Sequence, residues 1–228
     1  MLQVNQLIGF GVSEAVVPFA ITYQGFVADN TNQTSYTYTS QPVGSGTRKI
    51  VVCIMAVGGG GGPTISSVTV DGNTMTSAVA QAGGGNENTG QYYYDATTTG
   101  SSVSIVVNLN NGVQSACHIT IYTITSAVAG APNSTVSANY SSVTAALTSN
   151  CPAGGGIIGS VVARNDTNYY TWTNLDENYD ELIDGTGNTG STAFRQFAAQ
   201  QTSLPITAVM GGLIIRGVYG TTTSWAAA

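Results

Sequence analysis

Few side chains in this chain have types and spacing that could do chemistry. His118 is the single histidine, which excludes a histidine metal cluster. A Ser-His-Asp triad would need its serine on a sharp exposed turn, and no Gly-x-Ser-x-Gly occurs. Cys117 and His118 are consecutive in an apolar strand pattern, so their side chains point to opposite faces and cannot work as a pair. Cys53, Cys117 and Cys151 are odd in number and irregularly spaced. They read as free thiols, the first two buried as small hydrophobes, rather than as a disulfide framework. The run Gly58 to Gly62 has the look of a phosphate loop. Pro63 ends it, however, with no Lys-Ser/Thr and no helix start to offer amides, so it reads as loop punctuation.

One charge cluster stands out. Five of the eleven acids, Asp176, Glu177, Asp180, Glu181 and Asp184, fall between Leu175 and Gly190. Paired carboxylates can cleave glycosides, and carboxylates with loop carbonyls can hold calcium. A solvated loop, or a face meeting another subunit, is the plainer alternative, and the spacing does not match an EF-hand. The aromatic runs Tyr92-Tyr93-Tyr94 and Tyr169-Tyr170-x-Trp172 supply candidate sugar-stacking platforms, with Tyr93 and Trp172 as the residues to test. Tyr is equally at home in strands and interfaces. No residue is assigned a catalytic, cofactor-binding or metal-binding role, and no cofactor is expected.

Composition limits the partners. The chain has 228 residues, of which 42 % are apolar and 7 % charged, with a net charge of −6. Ordinary globular domains are about 25 % charged. The surface must therefore be covered by Ser, Thr, Asn, Gln and Gly, and a chain lacking the charges that blunt sheet edges is expected to sit in an assembly. Five scattered cations, Arg48, Lys49, Arg164, Arg195 and Arg216, argue against nucleic acid and anionic membranes. The first ten residues carry neither Lys nor Arg and no long apolar core, so no secretion signal is expected. No apolar run is long enough to span a membrane as a helix. Without a secretion route, the sequons at Asn32, Asn133, Asn139 and Asn165 are accidents of composition.

The elements that must position these residues are strands. Ile50 to Val57 is an unbroken apolar run rich in β-branched residues, which predicts a strand buried on both faces. Asp71-Gly72 predicts a type I′ hairpin. Val103, Ile105, Val107 and Leu109 alternate cleanly, and Cys117, Ile119 and Ile121 share one face of the returning strand. No amphipathic helix pattern appears, except for a weak one over Asp176 to Asp184, and no repeat of fixed period is visible. The tail is polar and then apolar, with Trp225 expected to pack on something. The pattern predicts an all-β chain: an antiparallel β-sandwich of two sheets over residues 18–228. An N-terminal arm, residues 1–17, precedes it. Leu7, Ile8 and Phe10 form an uncharged apolar cluster in the arm. They read either as part of the sandwich's own core or as an assembly peg set into a neighbouring subunit.

Three stretches carry a family resemblance. VNQLIGFGV at Val4 to Val12 resembles the opening of many marine-phage structural proteins. The segment from RKIVVCIMAV through ISSVTVDGNTMTSAV to GQYYYDATTTGSSVSIVVNL resembles their sandwich core. WTNLDENYDELID at Trp172 to Asp184 resembles a turn they share. The chain departs from that pattern at Thr98 or Thr99, where the family has Pro, and in a longer glycine loop. The resemblance implies a jelly-roll β-sandwich made in the host bacterial cytoplasm and built into the virion as a surface protein: a capsid decoration, head fibre or tail-associated protein without catalysis. Its partners would be other virion proteins and copies of itself, with a trimer favoured by analogy. The alternative is a carbohydrate- or receptor-binding domain of a tail fibre, with a host surface glycan as ligand.

Overall fold

The computed structural model describes residues 17–59, 62–82, 86–97, 100–110, 113–140, 142–164, 169–183, 187–211 and 218–228. Leu7, Ile8 and Phe10 lie outside the described residues, as does Asp184. Every regular element among the described residues is a strand. The first nine are β1 (Ala20–Asp29), β2 (Ser35–Pro42), β3 (Arg48–Gly59), β4 (Thr64–Val70), β5 (Asn73–Thr74), β6 (Thr76–Ala82), β7 (Glu87–Ala96), β8 (Ser102–Asn110) and β9 (Val113–Thr125). They form an inner sheet, β1-β9-β3-β7-β6, and an outer sheet, β2-β8-β4-β5. The remainder are β10 (Ser134–Tyr140), β11 (Thr144–Cys151), β12 (Gly156–Arg164), β13 (Tyr170–Thr173), β14 (Asp176–Leu182), β15 (Asn188–Gln196), β16 (Gln201–Met210) and β17 (Val218–Trp225). They repeat the plan, with inner sheet β10-β17-β12-β15-β14 and outer sheet β11-β16-β13. All pairings are antiparallel.

The all-β antiparallel architecture expected from the sequence is therefore present, but with four sheets rather than two. Two sandwiches of matching strand order stack through their inner sheets. The physical reason is visible in β3. Ile50, Val52, Ile54 and Ala56 enter the core shared with the first outer sheet, beside Tyr36, Val68 and Val107. Val51, Cys53, Met55 and Val57 face the other way, against Ile158, Val162, Tyr219 and Trp225 of the second sandwich. A strand apolar on both faces needs a cover on each. β12 divides in the same manner: Ile157 and Val161 serve the second sandwich's own core, and Ile158 and Val162 serve the seam.

Contacts across the seam are reciprocal. β1 of the first sandwich reaches β14 through Phe26 and Tyr179, whose ring centroids are 4.8 Å apart. The matching strand β10 packs on β6. β9 reaches β14 through His118, and its counterpart β17 packs on β6. Reciprocity of this kind marks a pseudo-twofold relation between the sandwiches. Two glycines allow the close approach. A methyl group on Gly156 would sit 2.4 Å from Ile21 Cδ1, and one on Gly190 would sit 2.7 Å from Met55 Sδ.

Local signals behave as the sequence predicts at the Asp71-Gly72 turn, where both residues have positive φ, 46° and 79°. The stretch Asp176–Leu182, read as weakly helical, is instead the edge strand β14. Its pairing with β15, which includes an Arg195–Asp176 ion pair, overrides a local pattern that had no apolar stripe to dock a helix.

Candidate functional site

The seam holds a connected set of buried polar groups. Gln91 on β7 donates from Nε2 to Ile158 O at 3.2 Å and Thr221 O at 3.3 Å, and its Oε1 accepts from the Thr223 hydroxyl at 2.6 Å. Ser160 exchanges hydroxyl hydrogen bonds with Thr89 and Thr221, each at 2.8 Å. Trp225 Nε1 donates to Thr223 at 3.0 Å. These groups are amides and hydroxyls, with no base in their hydrogen-bond chain to activate a nucleophile.

His118 sits at another point of the seam. Its Nδ1 is 2.6 Å from the Tyr179 hydroxyl and its Nε2 is 2.9 Å from Asn30 Oδ1. With Asn30 as acceptor, Nε2 carries the proton and Nδ1 accepts from Tyr179. That arrangement satisfies a neutral ring and orients no nucleophile. The cysteines are buried and free. Burial pushes the thiols of Cys53 and Cys117 up to about 12 and that of Cys151 to about 11, so none is a thiolate at neutral pH.

No motif or spacing points to the ion pair at the seam. Lys49 and Asp95 are cross-strand partners on β3 and β7. The Lys49 side chain is 1 % exposed and its ammonium donates to Asp95 Oδ1 and, at 2.8 Å, to Gly130 O. It also lies 4.6 Å from the Tyr93 ring centre and 5.0 Å from that of Trp225. Asp95 Oδ2 accepts from Gly130 N at 2.8 Å. Burial lowers the Lys49 pKa, opposed by the Asp95 hydrogen bond and charge. One ion pair thus ties the first sandwich, the linker between sandwiches and the last strand of the second. Adjacent to it opens a cleft of about 610 Å³ lined by Val17, Thr47, Ala96, Ile124, Ala127 and Ala129, among others.

The sugar-stacking candidates are placed otherwise than the sequence suggested. Tyr93 is 9 % exposed and turned into the seam, edge-on to Trp225 at 5.4 Å. Trp172 is also 9 % exposed, and its Nε1 donates to Ser191 at 2.8 Å. Its ring covers Gly159, where a methyl group would meet Trp172 Cζ3 at 2.8 Å. A stacking platform needs an open ring face, and neither residue offers one. The exposed aromatic of that segment is Tyr169, at 60 %.

The acidic cluster is the edge of the second inner sheet. Asp176 and Glu181 are exposed, and Arg195 holds Asp176 in a two-point pair at 2.6 and 3.0 Å, which keeps that carboxyl below its ordinary range. Asp180 accepts from Tyr170 N at 2.6 Å, and burial raises its carboxyl to about 7. Among the described residues no three His, Cys, Asp or Glu side chains come close enough to hold a metal ion. Charges along an outer strand are a known guard against edge-to-edge pairing. No family profile matches this chain, and no curated protein is similar to it at a significant level.

Proposed function

We propose that the chain is a structural subunit of a bacteriophage particle, displayed on its surface and assembled with copies of itself, with no catalytic step. The strand order of each half, with the first strand at the edge of the inner sheet and the last strand paired beside it, supports the jelly-roll reading of the resemblance. The observation that carries the proposal is the distribution of charge. Neither outer sheet contains a single Asp, Glu, Lys, Arg or His in its strands. The edge strand β2 is eight residues long, SYTYTSQP, and presents Ser35, Thr37 and Thr39 outward. The edge that the chain does guard, β14, carries four acids. Unguarded, uncharged edges invite pairing with another chain. In a subunit held in a particle, that pairing is the use of the surface.

Two measurements test the reading. Antibodies against the chain are expected to label intact phage particles from the culture that makes it, and label confined to the particle-free fraction would overturn the virion assignment. Light scattering of the purified chain at micromolar concentration is expected to give an oligomer, a trimer by the family analogy. Thr37→Lys with Thr39→Lys is expected to dissociate it. A chain that stays monomeric throughout refutes assembly through the outer edges.

A further inference from the structure

We infer that Lys49 and Asp95 are the two reactants of a self-formed amide bond, an isopeptide cross-link between side chains of β3 and β7. The inference does not rest on the virion reading.

The two residues are held as reactants are. They are direct cross-strand partners, so the ladder itself fixes their separation. The Lys49 side chain is 1 % exposed and enclosed by the rings of Tyr93 and Trp225. Its nitrogen touches Asp95 Oδ1. Among the described residues, Asp95 is the one charged group that bears on Lys49. Groups fixed side by side in this way react as if at effective concentrations of about 10⁵–10⁸ M.

Gly130 supplies the positioning. Its carbonyl accepts from Lys49 Nζ at 2.8 Å, and its N–H donates to Asp95 Oδ2 at 2.8 Å. The N–H stabilises the negative charge that Oδ2 gathers as the nitrogen adds to Cγ. Once the amide has formed, it has one N–H and one C=O where the ammonium and the carboxylate stood. Gly130 O and Gly130 N are already in place as their partners. The product therefore keeps both hydrogen bonds and loses a buried charge, and it is the desolvation of that charge that depresses the Lys49 pKa. Gly130 holds φ at 89°, a backbone conformation that glycine adopts without strain.

The step balances within the pair. One proton passes from the ammonium to Asp95 Oδ1, and the freed lone pair of Nζ forms the bond to Cγ. The Cγ–Oδ1 bond then breaks, and Oδ1 leaves with a second proton from the nitrogen as one molecule of water. No oxidant or activating group takes part. Asp95 is 40 % exposed and lines the cleft, so the water has an exit. With no second acid to relay protons, closure is slow: the newly folded chain carries the ion pair, and the bond accumulates with age. It ties residue 49 to residue 95 in a chain whose three cysteines are all free. Like a disulfide, it restricts the unfolded chain.

Intact mass spectrometry of the full chain tests this, on new protein and on protein warmed for long periods below its unfolding midpoint. A species lighter by one water is expected, growing in proportion to time at first. Glu87 is the only glutamate between Glu14 and Glu177. A Glu-specific protease applied to the denatured chain therefore cuts between Lys49 and Asp95. In the lighter species the two pieces should stay joined, with tandem mass spectrometry placing the link at Lys49 and Asp95. Lys49→Arg keeps the positive charge but lacks the amine, and its pieces should separate at every age. The wild-type chain decides by itself if Lys49→Arg misfolds. Full mass in the warmed wild type would overturn the inference. So would a lighter species whose pieces separate, because a cyclic imide at an aspartate also loses one water, and so would joined pieces in Lys49→Arg.

Discussion

Removing Asp95 should cost far more than removing Lys49, although the two form one pair. Asp95→Ala leaves an ammonium whose side chain is 1 % exposed. Breaking a buried pair from one side costs about 3–5 kcal/mol. Two features reduce that here. Asp95 itself is 40 % exposed, so the pair is partly screened, and the stranded ammonium keeps Gly130 O and two aromatic faces. We therefore expect a loss of about 2–3 kcal/mol. Lys49→Met replaces the buried charge with an apolar chain of similar length and leaves Asp95 hydrated and bonded to Gly130 N, so it should cost less than about 1 kcal/mol. Urea unfolding followed by tryptophan fluorescence reads the difference, since Trp225 is beside the ammonium. With a slope of about 3 kcal/mol/M, Asp95→Ala should lower the midpoint by about 0.7–1 M. The pH dependence adds a check. Burial depresses the Lys49 pKa, and loss of Asp95 removes the groups that raise it. Between that depressed value and the ordinary 10.5 the unfolded chain binds more protons, so stability rises with pH and the Asp95→Ala deficit should shrink toward pH 10. Equal losses in the two variants, or an Asp95→Ala deficit that grows with pH, would refute the reasoning.

Three further variants have expected outcomes. Trp172→Ala should destabilise by about 3–5 kcal/mol as a core deletion, and Gly159→Ala by about 1–3 kcal/mol through overpacking against the Trp172 ring; binding of a glycan by Trp172→Phe at wild-type strength would agree with both, whereas a folded Trp172→Ala of normal stability would contradict them. Asp180→Asn should raise stability at pH 8 by about 1 kcal/mol, discounted for partial exposure. The raised Asp180 carboxyl makes the folded state hold a proton between its ordinary value near 4 and about 7, so its contribution is present at low pH and lost as pH rises through 7; the variant's pH 5–8 stability profile should lose that slope, and an unchanged profile rejects it.

What the sequence made legible was local. Ile50–Val57 announced a strand buried twice over, and Asp71-Gly72 announced its turn, because each signal depends on a few adjacent residues. The duplication stayed hidden. It lies in strand order and pairing, while the matching strands β3 and β12, RKIVVCIMAVGG and GIIGSVVAR, share little beyond apolar character. Lys49 read as one of five scattered cations because its burial depends on Trp225, far along the chain. Tyr93 and Trp172 looked equally suited to a sugar and to a core; Gly159 and the seam decide for the core.

The largest misfit between sequence and structure is β17, and it explains why the seam was invisible. The tail TTTSWAAA after Tyr219 reads as polar and then apolar, yet the strand runs on to Trp225 and every residue from Val218 to Trp225 is buried. β17 is flanked by β10 and β12 in the second inner sheet, and its Thr side chains divide between two jobs. Their methyl groups fill space between layers, and the hydroxyls of Thr221 and Thr223 meet Gln91 of the facing strand β7, while Thr221 also meets Ser160 of the neighbouring strand β12, which itself reaches Thr89 across the seam. A purely apolar seam would be as cohesive but would allow the sandwiches to slide, since apolar contact has no direction. Paired hydroxyls and an amide have fixed partners, and each slip of one residue would leave several of them buried and unsatisfied, at about 1–3 kcal/mol each. The polar residues that made this strand look exposed are thus the ones that set the register of one sandwich on the other.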